Sequence, residues 1–233
     1  MSSRRAFIHR ASALGLLLLA AHQRALAVSL AQLSNADAAS GVKAALARGA
    51  EVAVDLLGRT DGFLGNPQVR IGLPGQLEDA AKLMRRFGQG QRIDELVTTI
   101  NRAAETAVPM GKDLLVGAVQ SMSVQDAKNI LTGGDTAVTQ FFAGKTRAPL
   151  GERFLPVVTQ AIDKVGLAQQ YNAFAGKAAG FGLLKAEDAN LQQYVTGKTL
   201  DGLYFMIGEE ERKIRNDPVG TGSALLQKVF GAR

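Results

Sequence analysis

The segment TLDGLYFMIGEEERKIRN, Thr199 to Asn216, decides how the rest of the chain must fold. Its first half is apolar on every side of a helix, with large side chains at Leu200, Leu203, Tyr204, Phe205, Met206 and Ile207. Its second half, Glu209 to Arg215, is almost entirely charged. Because a helix that is apolar all round is normally buried, the sequence predicts one long helix whose front half lies inside the domain and whose tail lies in water.

A second stretch, RTDGFLGNPQVRIGLPG from Arg59 to Gly75, has the opposite character, and we name it the glycine-proline segment. It holds four glycines and two prolines in 17 residues, which a regular helix does not tolerate. Between its turn signals lie apolar residues such as Phe63 and Ile71, so the segment is too long and too apolar for a solvated linker. We predict that it packs against the helices, and a short strand over Gln68–Leu73 is an open alternative.

The rest of the chain repeats apolar residues every three or four positions, as helices with one buried face do. The predicted helices are Asn35–Leu57, Gln76–Phe87, Gln91–Val108, Gly111–Met122, a short helix after a Ser123 cap with Asp126 three residues on, Thr136–Ala143, Pro149–Val165 with a kink at Pro156, Leu167–Ala179, Ala189–Val195 after an Asp188 cap, and Ser223–Phe230. No alternating strand pattern is convincing and no fixed-period repeat occurs. We therefore predict an all-α fold, a compact single-domain multi-helix bundle around the buried C-terminal helix.

The N-terminus has the pattern of an export signal. Ser3-Arg4-Arg5-Ala6-Phe7-Ile8 resembles a twin-arginine motif, an apolar core follows over Ala11–Ala21, and Ala25-Leu26-Ala27 is a small-residue cleavage site. We predict a signal peptide over residues 1–27, a mature leader over 28–34 and the helical domain over 35–233, with an ordinary secretory signal as the alternative. The apolar run is too short to span a bilayer. No cysteine follows the cleavage site, so we expect a soluble periplasmic protein without a lipid anchor.

Removal of the signal changes what the composition allows. The whole chain has a net charge of +6, but its first 27 residues hold four arginines and no acidic residue, so residues 28–233 carry 23 basic and 21 acidic side chains, a net of +2. A nucleic-acid partner loses its electrostatic support. The only histidines, His9 and His22, are also removed, and the chain has no cysteine. This composition excludes catalytic triads with histidine, thiolate chemistry, zinc sites with thiolate or imidazole ligands, and haem ligated by histidine. We predict no cofactor and no metal, which leaves carboxylate, lysine or oxygen-ligand chemistry.

Four blocks of sequence resemble one family. DGFLGNPQVRIGLPG (Asp61–Gly75), NRAAETAVP (Asn101–Pro109), QDAKNIL (Gln125–Leu131) and LDGLYFMIGEEERKIRNDP (Leu200–Pro218) occur in the order typical of the domain-of-unknown-function 4197 family. The resemblance covers roughly residues 33–231. It implies an exported bacterial protein with a helical fold, and it implies no activity.

Candidate binding residues lie in the glycine-proline segment and on the C-terminal helix: Asp61, Phe63, Asn66, Arg70, Asp201, Tyr204, Glu210 and Glu211. Glu210 falls three residues after Ile207 and four before Ile214, which places it on the apolar stripe, where a carboxylate needs a partner. We predict that Arg70 pairs with Glu210 or Glu211 and pins the segment to the helix. The alternative is a solvated charged face with pairs at helical spacing. Calcium at Asp61 and Asn66 is a weaker interpretation than turn formation.

These features favour a non-enzymatic binding or envelope-interaction module, whose partner is an apolar small molecule or an envelope protein. The aromatic residues of the second half either form the core or line a pocket between helices. A carboxylate-based hydrolase without His, Cys or zinc is the alternative, and an assembly factor that acts only through protein contacts is a third. A binding module should show a void of a few hundred Å³, and a hydrolase should show carboxylates that converge in a cleft.

Overall fold

The structure, a computed structural model, describes residues 35–88, 90–134, 136–164, 169, 172 and 190–216. In this part the chain forms seven α-helices and no strand: α1 (Asn35–Leu57), α2 (Gly75–Arg86), α3 (Gly90–Ala107), α4 (Lys112–Gln120), α5 (Val124–Thr132), α6 (Ala137–Ile162) and α7 (Leu191–Asn216), with a 3-10 turn at Val108–Gly111. The all-α prediction is confirmed, and the strand alternative over Gln68–Leu73 is wrong. Most of the predicted helix Leu167–Ala179, the Asp188 cap, Ser223–Phe230 and the signal lie outside the described residues.

Helix α6 is one continuous helix where two were predicted. Its buried residues recur every four positions, at Val138, Phe142, Thr146, Leu150, Phe154, Val158 and Ile162. This stripe runs without a break past Pro149 and Pro156, and both prolines lie off it. The carbonyls that lose a partner to the prolines belong to Lys145 and Glu152, which are exposed residues. The chain therefore stays helical across both prolines, and the helix is not split at Pro156.

Helix α7 likewise joins two predicted helices, Ala189–Val195 and the long helix predicted for Thr199–Asn216. Asn190 begins it, because its side-chain oxygen accepts a hydrogen bond from the N–H of Gln193 at 3.0 Å. The buried stripe then continues through Leu191, Val195 and Thr199 into Leu203. Gly197 interrupts neither the helix nor the stripe.

The C-terminal helix is the element against which the others pack. Helix α7 contacts α1, α3 and α6, while α6 also packs on α3 and α4. Leu203 and Ile207 are buried as predicted, but Phe205 is 39% exposed. The apolar first half of the Thr199–Asn216 segment is therefore not buried on every side. The charged tail lies only partly in water, because Glu210 and Glu211 lie inside the fold. The burial of Glu210 agrees with its predicted place on the apolar stripe, whereas the burial of Glu211 was not predicted. Within the described residues, no helix is long and apolar enough to cross a membrane.

Candidate functional site

Two polar side chains of α3 hold the glycine-proline segment in place. Glu105 Oε1 accepts hydrogen bonds from the backbone N–H groups of Phe63 and Leu64, each at 3.0 Å. Asn101 accepts from the N–H of Ile71 at 2.8 Å and donates to its carbonyl at 2.9 Å. Both side chains are buried, so these bonds replace the backbone partners that the segment lacks.

Sequence reasoning missed Asn101 and Glu105, although a signal was present. They stand one turn apart on α3, with Asn101 one turn after the buried Val97. A polar residue on an apolar stripe is unexpected unless it has an interior partner. The block NRAAETAVP contains both residues, and the segment that they hold is the first block of the family pattern.

Asp61 closes the start of the segment as part of an ion-pair network. Its backbone has φ of 65°, the only positive value at a non-glycine residue in the described part. Arg102 donates to Asp61 Oδ1 at 2.8 Å and to Glu105 Oε2 at 2.6 Å. Hydrogen bonds to these two carboxylates, that to Glu105 first, raise the pKa of Arg102. This network stabilises the turn at Asp61 and leaves its carboxylate occupied.

The segment lies on α7 through apolar contact as well as hydrogen bonds. Phe63 is fully buried beside Gly202, where an added Cβ would stand 2.8 Å from the phenyl ring. Tyr194 donates through its hydroxyl to the carbonyl of Gly72 at 3.2 Å, and the Asn66 amide lies 3.9 Å from the sulfur of Met206. The segment is therefore fixed between α3 and α7.

The predicted ion pair between Arg70 and the charged tail does not form. Glu210 instead pairs with Lys213 on its own helix, Oε1 to Nζ, at 2.6 Å. Arg70 is exposed and makes no ion pair with a described residue. The physical reason is direction: Glu210 faces α1, with its Cβ beside Gly49, whereas Arg70 lies at the opposite, open edge of α7. The segment is pinned to the bundle by α3 and not by Arg70.

Tyr204 and Asp201 are held by α6. The Tyr204 hydroxyl shares a hydrogen bond of 2.9 Å with Thr146, and Arg147 lies 5.9 Å from the centre of the tyrosine ring. Burial is the main cause of the raised pKa of Tyr204, partly offset by the Thr146 hydrogen bond. Arg147 also donates to Asp201 at 2.7 Å. Tyr204 is therefore mainly structural, and Asp201 lies at the surface.

Two grooves flank the exposed ring of Phe205. The first, of about 420 Å³, lies between α7 and the Gln68–Gly72 stretch, and Arg70, Tyr194 and Lys198 are among the residues that line it. The second, of about 350 Å³, lies between α7 and α6. Phe205 and Asp201 line both grooves, so Phe205 forms the ridge between them. We name this surface the Phe205 grooves.

The Phe205 grooves carry more positive than negative charge. Four cations line them, Arg70, Lys198, Arg147 and Arg212, against two carboxylates, Asp201 and Glu209. Asp201 is bound by Arg147 and Glu209 by Arg212, so neither carboxylate is free. Arg70 has no such partner among the described residues. An apolar ring beside an unpaired guanidinium suits a ligand with an apolar body and an acidic group.

The eight candidate residues are thus divided among the Phe205 grooves, a third depression and the interior of the fold. Arg70, Asp201 and Tyr204 lie around the Phe205 grooves. Asp61 and Asn66 line a third depression of about 280 Å³ at the other side of the segment, while Phe63 is core. Glu210 and Glu211 are buried. In the described part of the chain, no three acidic, histidine or cysteine residues stand close enough to hold a metal ion.

The spacing of the two carboxylates at the Phe205 grooves does not match that of a glycosidase. Asp201 and Glu209 are eight residues apart on α7, which separates them by about 12 Å along the helix axis. Glycosidases place their two carboxyl groups within roughly 10 Å of each other. Each of these two carboxylates also neutralises an arginine. The Phe205 grooves therefore resemble a binding surface more than a hydrolytic site.

The fold and these contacts define a class of protein: an all-α bundle that holds an irregular segment between two helices, beside a groove on its C-terminal helix. Within that class, the chain belongs to the family described as protein of unknown function, DUF4197, whose family model matches residues 32–231. The resemblance inferred from the four sequence blocks is therefore confirmed. Neither a curated protein nor a solved structure matches the chain.

Proposed function

We propose that this protein is a non-enzymatic binding module that holds an apolar ligand with an acidic group in the Phe205 grooves. The observation that carries the proposal is the exposure of Phe205, the one exposed large apolar side chain among the described residues of α7, at 39%, between two grooves of a few hundred Å³. The apolar part of the ligand would cover the phenyl ring, and the acidic group would meet Arg70. A hydrolase has less support, because the carboxylates at the grooves are far apart and paired.

A fluorescent fatty acid, cis-parinaric acid, is a suitable probe because it combines an apolar chain with a carboxylate. We expect saturable binding to the wild-type protein. Phe205→Ser should raise the Kd about tenfold, because the phenyl ring no longer covers the apolar chain of the probe and shields it from water. Arg70→Gln should weaken Kd by a similar factor, since it removes a charge-assisted hydrogen bond.

The matched controls are Met110→Ser, which removes another exposed apolar side chain, and Arg48→Gln, which removes an exposed cation on α1. Both should bind the probe as the wild type does. Arg70→Gln and Arg48→Gln should unfold at the wild-type temperature, because both arginines are exposed. Phe205→Ser and Met110→Ser should each lose some stability, because these side chains are only 39% and 47% exposed, so Met110→Ser also controls for that loss. Equal binding by Phe205→Ser, Arg70→Gln and the controls would refute the Phe205 grooves as the site.

We propose further that the protein acts in the periplasm after export by the twin-arginine route. The support is the sequence pattern of residues 1–27. Replacing both Arg4 and Arg5 with lysine should leave almost all of the chain uncut in the cytoplasm, because this route requires the arginine pair. The measurement is the intact mass of the protein in each cell fraction, with Val28 expected as the first residue of the exported wild type.

Arg24→Lys keeps the charge outside the motif and serves as the export control. If the Arg4→Lys, Arg5→Lys protein is cut and exported normally, the general secretory route carries it instead. If the wild-type chain keeps Met1 in the cytoplasm, the export proposal is wrong.

A further inference from the structure

The turn between α2 and α3 presents the most exposed large apolar side chain of the described residues. Phe87 is 76% exposed, directly after the last residue of α2. Gly88 follows with φ of +79°, and its N–H bonds to the carbonyl of Arg85 at 3.2 Å. A glycine in this conformation ends a helix in a defined turn. Phe87 is therefore held at the tip of a helical hairpin, away from the core.

Cations surround this tip on both helices. Arg85 and Arg86 end α2, and Arg92 lies in the first turn of α3. Arg85 is bound by Glu78 at 3.5 Å and by Asp94 at 3.1 Å. Arg86 and Arg92 are exposed and make no ion pair with a described residue. Asp94 and Glu95 in the same part of α3 supply negative charge at this helix N-terminus, but Asp94 is bound by Arg85. The exposed guanidinium groups of Arg86 and Arg92 are therefore available to an anion from outside the chain.

We propose that this hairpin tip docks on the surface of an anionic lipid bilayer. Phe87 would enter the interfacial layer, and Arg86 and Arg92 would bind lipid phosphates. The headgroup region offers both environments within the 5–10 Å that a surface-bound apolar side chain reaches. A protein partner fits less well, because a stable interface needs about 800 Å² on each side with an apolar centre, and one phenyl ring among arginines does not supply it.

Docking through a single ring and two cations is weak and reversible. It leaves the Phe205 grooves free, because these grooves lie on α6, α7 and the glycine-proline segment. Docking by this tip does not require the ligand proposed for the Phe205 grooves. It should depend on lipid charge and on salt, because screening shortens the reach of surface charges.

The experiment is co-sedimentation of the protein with large vesicles of phosphatidylglycerol and phosphatidylcholine, compared with vesicles of phosphatidylcholine alone, at low and high salt. The wild type should bind the anionic vesicles and release them at high salt. Phe87→Ser should lower the partition coefficient about tenfold. Arg86→Gln with Arg92→Gln should lower it about 25-fold, at about fivefold for each arginine.

The matched control is Val124→Ser with Lys128→Gln, which removes an exposed apolar residue and an exposed cation four positions apart on α5. This variant should partition as the wild type does. Equal partitioning of the tip variants and the control would overturn the inference, as would a wild type that ignores the anionic vesicles. Sedimentation velocity tests the remaining alternative, since a dimer dissolved by Phe87→Ser, without vesicle binding, would assign the tip to self-association.

Discussion

Replacing Glu105 with leucine is expected to lower the free energy of unfolding by about 3–5 kcal/mol. Leucine fills a similar volume but accepts no hydrogen bond. The buried N–H of Phe63 and the partly buried N–H of Leu64, both bound to Glu105 Oε1, would lose their acceptor. Each unsatisfied buried donor costs about 1–3 kcal/mol. In thermal unfolding the change should appear as a fall in Tm of about 10 °C.

Glu105→Gln separates the backbone contacts from the charge. The amide oxygen can still accept from Phe63 and Leu64, while the ion pair with Arg102, which is 39% exposed, is lost. We expect a cost of about 1 kcal/mol for this variant. Amide exchange at Phe63 and Leu64 should accelerate strongly in Glu105→Leu and weakly in Glu105→Gln. If both variants unfold at the wild-type temperature, Glu105 does not hold the segment, and the apolar contacts with the hydrogen bonds of Asn101 and Tyr194 suffice.

Much of the fold follows from local sequence patterns. The apolar periodicity predicted α1 and α3 to within one residue at each end, and the Ser123 cap with Asp126 is a complete capping box. The hydrogen bonds from Ser123, backbone first, lower the pKa of Asp126. These features depend on residues within one or two turns of each other, so the sequence carries the information directly.

The wrong predictions share a different cause, because each concerns a feature that depends on contacts between residues far apart in the chain. Periodicity identifies the apolar face of a helix but not which side chains on it a neighbour covers, so the exposure of Phe205 could not be predicted. The continuity of α6 across Pro149 and Pro156 depends on the partners of its buried stripe. The Arg70 pairing failed for the same reason, because the choice between α3 and α7 as an anchor is made by the tertiary fold.

Gly202 and Gly197 lie on the same helix, and replacing each with alanine should change the free energy of unfolding in opposite directions. A Cβ at Gly202 would stand 2.8 Å from the Phe63 ring and 3.3 Å from the Cβ of Val69, whereas a Cβ at Gly197 would meet nothing within 4 Å. Gly197→Ala should stabilise the protein by up to about 1 kcal/mol, because alanine is the better helix former. Gly202→Ala gains the same helix propensity but forces a fully buried ring to move, so we expect a net loss of about 1–2 kcal/mol.

The comparison becomes decisive with Phe63→Leu as a third variant. If the ring is what excludes a methyl group at position 202, Gly202→Ala should cost much less in the Phe63→Leu protein than in the wild type, and Gly197→Ala should have the same effect in both. Chemical denaturation of the six proteins in this double-mutant design measures each free energy of unfolding directly. Equal costs of Gly202→Ala in both backgrounds would mean that the Phe63 ring is not what excludes a methyl group at position 202. Val69, whose Cβ would lie 3.3 Å from the added methyl, would then be the obstacle.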